Sequence, residues 1–302
     1  MTSGRDAPQP SAATPRPPCR AAGRPAVIFF AIAAALTAAP PAPAAPTLPP
    51  GRQSAPTPLQ HEVEKQKARL ASPEVEERRD AVTRLGALAR PEGSLAAAAA
   101  LGDPAAVVRA TAARAVLSLP RGEASRLILP LLRDRDEFVR REAAYALGLA
   151  GSAVAVPALA EALETDREAA VRGAAAVALG QIGDPAAAPF LAGSLSRRLP
   201  PRAGRERPRR RRVEQDEFAR RAAAVSLGQL RSREAVPVLI ETLADERAPD
   251  DLRREAARAL GLIGDRAAVP ALRAALTARD PYLARIAFDA VRALEAPAPL
   301  TN

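Results

Sequence analysis

The sequence has few of the residues from which most catalytic and metal sites are built. Its 302 residues include one Cys, one His, one Met and no Trp, and aromatic residues make up 3% of the chain. Cys19 and His61 alone exclude a Cys/His zinc site, a Cys–His nucleophile pair and a disulfide framework. A Ser-His-Asp triad would depend on His61, which follows a Pro-rich stretch and so lies in a poor place for a preorganised site. The composition argues against an enzyme, and we predict no cofactor and no resident metal.

Lysine is almost absent as well. Lys65 and Lys67 are the only two, so the formal charge of +10 is carried by Arg. Residues 197–212 contain nine Arg and one Glu, residues 1–58 carry a smaller positive excess, and the remainder is close to neutral. No aromatic residue interrupts the Arg run, so it offers no platform for base stacking, and we expect no sequence-specific nucleic-acid partner.

The Arg-rich run has two interpretations, and both stay open. One is that it binds an anionic surface such as phosphate, anionic lipid or an acidic polymer, because the guanidinium fork can contact two oxygens at once. The other is that it is a solvated insertion, because a block of like charges repels itself into an open coil. The candidate anion-binding residues are Arg205, Arg207, Arg209, Arg210, Arg211 and Arg212.

Residues 1–45 resemble a secretory leader in their order of segments. Arg20 and Arg24 precede the uninterrupted apolar run 26–39, and small residues with prolines follow it, which is the pattern of a signal peptide. The run is short for a membrane span, which needs about 20 residues. We therefore predict a periplasmic or secreted protein, with two alternatives open: an anchor formed by residues 26–39, or neither. Residues 46–60 are predicted to be a Pro-rich linker, because Pro lacks the backbone N–H that helices and sheets need.

Residues 61–296 repeat a single pattern. An Arg opens each copy, and five of the six intervals between these residues lie between 31 and 33 residues. The remaining interval is 48 residues long and contains the Arg-rich insertion, 197–213. The anchoring residues are Arg78, Arg109, Arg140, Arg172, Arg220, Arg253 and Arg285. Seven copies at a nearly constant period predict stacked units.

Each copy has apolar residues at helical spacing in two halves. The first half ends at a Gly such as Gly148 or Gly180, which predicts a left-handed C-cap. Acidic residues six positions before an anchor Arg are predicted to cap the helix that follows. The second half has a Pro near its start and a Leu stripe: Leu159, Leu163, Leu239, Leu243, Leu272 and Leu276. One hairpin cannot bury that stripe alone, so stacked copies are expected.

Two further expectations concern contacts between copies. The anchor Arg is predicted to pair with acidic residues of the preceding copy, giving a ladder along the stack. Phe138 and Phe218, each two residues before an anchor Arg, are predicted to pack in the core.

The motif VRREAAYALG, followed in other copies by IGDPAAAPF or LIGDRAAVP, resembles the short HEAT-like repeats also found in phycobilin-lyase subunits. The resemblance implies an all-α fold: an α-solenoid of about seven HEAT-like hairpins over 61–296, ahead of a tail, 297–302. It implies little about chemistry, since function lies in sites added to such scaffolds. HEAT-repeat iron hydroxylases carry several His-Glu pairs, whereas this chain has only His61-Glu62.

We therefore predict a non-catalytic scaffold that binds another protein through the face lined by the second helices. Residues of these helices that lie off the Leu stripe are predicted to face outward. They are Glu161, Glu164, Ser194, Glu241, Thr242, Arg273 and Thr277. A lyase-like enzyme subunit is a weaker alternative, because only the shared repeat supports it.

Overall fold

The computed structural model describes residues 56–196 and 217–296, and every regular element in these two stretches is helical. Short 3₁₀ turns extend or precede several of the helices. The α-helices of the described residues are α1 Pro58–Arg69, α2 Val75–Ala87, α3 Pro91–Ala98, α4 Ala106–Ala115, α5 Arg121–Ile128, α6 Glu137–Ala150, α7 Val156–Thr165, α8 Ala169–Ile182, α9 Ala188–Ser196, α10 Glu217–Leu230, α11 Val236–Ala244, α12 Asp250–Ile263, α13 Val269–Ala274 and α14 Pro281–Glu295.

The helices form two layers. The anchor-bearing helices are α2, α4, α6, α8, α10, α12 and α14, which we call the even layer; the others form the odd layer. Consecutive even helices contact each other along much of their length, whereas consecutive odd helices touch over fewer residues. The described chain starts on an odd helix, α1, at Pro58, inside the segment 46–60 interpreted as a linker. A capping box between Thr57 and Gln60 fixes this start.

Leu and Ala from both layers form the core. Of the predicted Leu stripe, all members except Leu276 are buried. Leu276 is 38% exposed, because α13 ends at Ala274 and the chain tightens into a 3₁₀ turn over Ala275–Thr277. With three residues per turn instead of 3.6, Ala275 takes the buried position in place of Leu276.

The repeated Gly does not cap its helix, which corrects the prediction. Gly148 lies inside α6, and the left-handed cap is Gly151, with φ of 65°. A Cβ on Gly148 would lie 2.8 Å from the Cα of Ala178 in α8. A Cβ on Gly228 would likewise meet the Cα of Ala259 in α12, and one on Gly180 would meet the Ser226 side chain of α10. This Gly therefore recurs in the repeats because neighbouring even helices approach each other closely at its position.

The long interval does not interrupt the stack. Helices α8 and α10, on either side of residues 197–216, pack against each other as closely as any even pair. The buried Ser226 Oγ of α10 donates a 2.9 Å hydrogen bond to the carbonyl of Ala176 in α8. The insertion therefore joins two neighbouring repeats of one continuous array.

Candidate protein-binding surface

A ladder of Arg–Asp pairs runs along one edge of the stack. Arg109, in the first turn of α4, donates from Nε and Nη2 to the two carboxylate oxygens of Asp134, at 2.7 and 2.8 Å. Its Nη1 donates to the carbonyls of Asp103 and Pro104 in the turn that leads into α4. The Asp134 carboxylate also accepts the backbone N–H of Asp136 at 2.9 Å. Equivalent two-pronged pairs join Arg78 to Asp103, Arg140 to Asp166 and Arg254 to Asp280.

The prediction that each anchor Arg pairs with an acidic residue of the preceding copy was wrong. Each Arg pairs with the Asp of the following copy, 25 or 26 residues later. Side chains on a helix lean toward its N-terminus, so an Arg in the first turn reaches the inter-helix turn beside it. That turn carries the Asp of the next copy. The acidic residues do bond backbone N–H groups as predicted, although they lie just before the helix caps.

Two anchors near the C-terminus were misassigned. Arg254 makes the pair with Asp280, while Arg253 donates from Nε to the carbonyl of Leu243 at 3.0 Å. The side chain of Arg285 is 73% exposed and pairs with Asp289 of its own helix. The ladder is thus a structural device that links consecutive repeats along one edge of the stack.

The ladder predicts a dependence of stability on acid. The hydrogen bond from Arg78 lowers the pKa of Asp103, and that from Arg254 lowers the pKa of Asp280. Burial alone would raise the pKa of Asp134, but hydrogen bonds from Arg109 and from the N–H of Asp136 outweigh it, and the net pKa is lowered. A lowered folded-state pKa contributes stability above the unfolded value, and this is lost as the pH falls through the folded value.

We expect the urea midpoint of unfolding to be nearly flat above about pH 5 and to fall from about pH 4 downward. Midpoints measured from pH 2 to 7 test this. The Asp134→Asn variant is the control, because without one of the lowered carboxylates its midpoint should fall less steeply. Identical acid profiles for both proteins would contradict the assignment.

The predicted surface residues divide into two groups. Glu161, Glu241, Arg273 and Thr277 are exposed, and Glu164 is half-buried. Ser194 and Thr242, with 2% and 5% exposure, are buried, so their outward placement was wrong. Both side chains are short enough to fit between neighbouring helices, and the Thr242 hydroxyl bonds the carbonyl of Val238 in its own helix at 2.8 Å.

One of these residues lines a groove in the odd layer. Between α5 and α7 lies a groove of about 560 Å³, lined in part by the 3₁₀ turn that follows α5 and contains Pro130. Glu161 stands on its rim, 3.1 Å from Arg133 across the opening. The floor is apolar, and the rim is charged or polar; the lining is Arg126, Leu129, Pro130, Leu132, Arg133, Ala158, Glu161, Ala162, Thr165 and Asp166. The sequence signal for it was Pro130, which cannot continue the helix.

The even layer exposes aromatic rings that were predicted to be buried. Phe138 and Phe218 are 39% and 37% exposed. The guanidinium groups of Arg141 and Arg221 lie 5.2 and 5.9 Å from the centres of these rings. An Arg one turn later thus covers each ring by a cation–π contact, which is why the position tolerates an aromatic residue at the surface.

Several predictions fall outside the described residues. These are the leader 1–45, with its apolar run 26–39, and the tail 297–302. The candidate anion-binding residues Arg205, Arg207, Arg209, Arg210, Arg211 and Arg212 also lie outside. Within 56–196 and 217–296, no cluster of three or more His, Cys, Asp or Glu is arranged to hold a metal ion. No helix in the same two stretches is long and apolar enough to span a membrane.

Comparison with known proteins supports the architecture. A family model described as HEAT repeats matches residues 124–203 and 210–295. The structure of the YibA protein of Escherichia coli is similar at 20% identity and a TM-score of 0.55, over 79% of this chain and 82% of YibA. An engineered protein is similar at 21% identity and a TM-score of 0.50, over 78% and 69% of the two chains.

The complex of CpcE and CpcF of phycocyanin lyase from a Nostoc species is similar at 24% identity and a TM-score of 0.45, over 83% of this chain and 100% of that one. No match was found among curated protein sequences. The family match and the helical architecture confirm the predicted α-solenoid of HEAT-like hairpins.

Proposed function

The chain belongs to the HEAT-repeat family, and from this premise we propose that it is a non-catalytic scaffold that binds another protein along its odd layer. Stacked repeats present extended faces that suit such binding. The observation that carries the proposal is the groove between α5 and α7, whose rim includes Glu161.

The chemistry of the groove fits a polypeptide segment. Its apolar floor would bury aliphatic side chains, and its rim offers Arg126 and Arg133 on one wall and Glu161 on the other. The Arg133 and Glu161 side chains are 81% and 56% exposed, so their mutual pairing contributes little stability. Each of the two side chains can therefore give up this pair and bind a charged group of a partner instead.

The titration behaviour of the described residues supports a non-catalytic role. The carboxylates there whose pKa is lowered, Asp80, Asp103, Asp134 and Asp280, are all held by Arg side chains in ion pairs. A structural ion pair accounts for each shift, so none of these four shifts marks a catalytic acid or base.

Export is part of the same proposal, supported by the leader pattern around residues 26–39. A second candidate function is binding of an anionic surface by the Arg-rich run. The described residues contain equal numbers of basic and acidic side chains. The whole +10 excess therefore lies outside the described residues, and the insertion contributes most of it.

A site-specific crosslinking experiment tests the proposal. A photoreactive amino acid replaces Thr165 on the groove rim, and crosslinks are formed in intact cells and identified by mass spectrometry. Ala158→Trp fills the groove, and we expect it to reduce the crosslinked partner by about tenfold or more, as for loss of a central contact. The matched control is Ala87→Trp, on an exposed alanine of the even layer, which should leave the yield unchanged.

Two further arms separate the alternatives. Loss of the crosslink only after deletion of residues 198–212 would favour the anionic-surface candidate over the groove. Equal crosslink yields from Ala158→Trp and Ala87→Trp would refute the proposal that the groove binds the partner. The intact mass of the protein recovered from the envelope fraction reports whether the leader has been removed.

A further inference from the structure

The last even helix differs from the others on the face that looks away from the stack. Leu252 of α12 and Leu283 of α14 occupy the same buried position. Counted from that position, Ala257 and Gly261 of α12 correspond to Phe288 and Arg292 of α14. Gly261 is a close-approach residue, since a Cβ there would lie 3.0 Å from the Cβ of Ala290. In α14, large side chains thus occupy the positions at which small residues in α12 allow the next even helix to pack closely.

The C-terminal end of the described array is also unusually apolar for a repeat end. Phe288 is 49% exposed and Leu276 is 38% exposed. At the opposite end, α1 has no exposed large hydrophobic residue, and α2 exposes Val75 at 37%. Phe288 and Leu276 thus leave apolar surface at this end of the described array, and the guanidinium group of Arg285 lies 5.8 Å from the centre of the Phe288 ring.

The charges on α14 indicate which partner fits. Arg285, Asp289, Arg292 and Glu295 alternate in sign along the helix, around Phe288. Reversing the direction of an identical helix reverses this order of charges. An antiparallel copy therefore places Arg285 opposite Glu295 and Asp289 opposite Arg292. The face is complementary to itself, which is the requirement for a two-fold interface.

We propose that the chain forms a two-fold dimer in which α14 packs antiparallel against α14 of a second copy, with Phe288 in the contact. Head-to-tail stacking is disfavoured, because Phe288 and Arg292 prevent the close approach seen between even helices. The polar α1, the first odd helix, would also be a poor cover for Leu276, which lies at the end of the odd layer. The pairs Arg285–Asp289 and Arg273–Glu295 within one chain involve exposed side chains, so exchanging them across the interface costs little.

Light scattering after size exclusion tests the proposal on the full chain. We expect twice the single-chain mass for the natural protein, where one chain with its leader retained is 31.5 kDa, and a single-chain mass for Phe288→Asp. The matched control is Leu95→Asp, at an exposed Leu on α3, which should keep the doubled mass. Circular dichroism verifies that both variants stay folded.

Charge reversal makes the test specific. Arg285→Glu with Arg292→Glu should give single chains, as should Asp289→Arg with Glu295→Arg. Mixing the two variants should restore the doubled mass, because their α14 faces become complementary to each other. A single-chain mass for the natural protein overturns the proposal, and so does a doubled mass that survives Phe288→Asp. A dimer that forms only after deletion of residues 297–302 overturns it too, since the tail would then be the natural cover.

Discussion

Replacing Gly228 with alanine is expected to lower the free energy of unfolding by about 1–3 kcal/mol, although alanine is the better helix former. A Cβ at this position would lie 2.9 Å from the Cα of Ala259 in α12. The obstacle is backbone, so relief requires α10 and α12 to move apart along their shared contact. Gly228→Val adds two further methyl groups and should be worse. Urea unfolding followed by circular dichroism measures the effect.

Gly193 provides the control for this prediction. It lies inside α9, and a Cβ there would meet nothing within 4 Å. Gly193→Ala should therefore raise the free energy of unfolding by about 0.5–1 kcal/mol through helix propensity alone. Opposite signs for the same substitution in two helices would establish close approach as the cause. A stabilising Gly228→Ala would show that the even helices have room between them.

Neutralising Asp134 is expected to lower the free energy of unfolding by about 2–3 kcal/mol, somewhat below the cost of breaking a fully buried ion pair. The Arg109 and Asp134 side chains are each 9% exposed. Asp134→Asn keeps an oxygen for the N–H of Asp136 but leaves the nearly buried Arg109 without a counter-charge. The Arg109→Met, Asp134→Asn double variant should recover at least half of the loss, because no unpaired charge is left.

Glu161→Gln is the matched control for the ladder, because it removes one charge from the exposed pair with Arg133. Its cost should stay below about 1 kcal/mol. If Asp134→Asn and Glu161→Gln lower the free energy of unfolding equally, then burial does not make the ladder pair more stabilising than the exposed pair. A double variant no more stable than Asp134→Asn would likewise argue against the unpaired-charge explanation.

The sequence predicted the repeat architecture well, because period and helical spacing are properties of the chain itself. The role of Gly148 could not be settled in the same way. A Gly near the end of a helical pattern suits a cap, and only the neighbouring helix shows that Ala178 requires it. The direction of the Arg109–Asp134 pair had the same ambiguity, since both adjacent copies offer an acidic residue at a similar distance along the chain.

The candidate surface was harder to predict than the fold. Outward placement was inferred from distance to the Leu stripe, which is valid for Glu161. It fails for Ser194 and Thr242, because an odd helix contacts both its partner in the even layer and the next odd helix. The groove lies beside the 3₁₀ turn after α5, which contains Pro130, and the sequence pattern of the repeats does not reveal such a groove.

The hydrogen bond between Ser226 and Ala176 also bears on how the chain folds. It joins residues 50 apart, twice the 25 that separate Arg109 from Asp134. Doubling a flexible loop adds only about 0.6 kcal/mol to its closure entropy. Between the other consecutive repeats of the described residues, contacts join residues that are closer in sequence, which favours rapid folding. The segment 197–216, between α9 and α10, is therefore a place where chain length can grow at almost no energetic cost, and a folded reporter domain could be inserted there without disturbing the array.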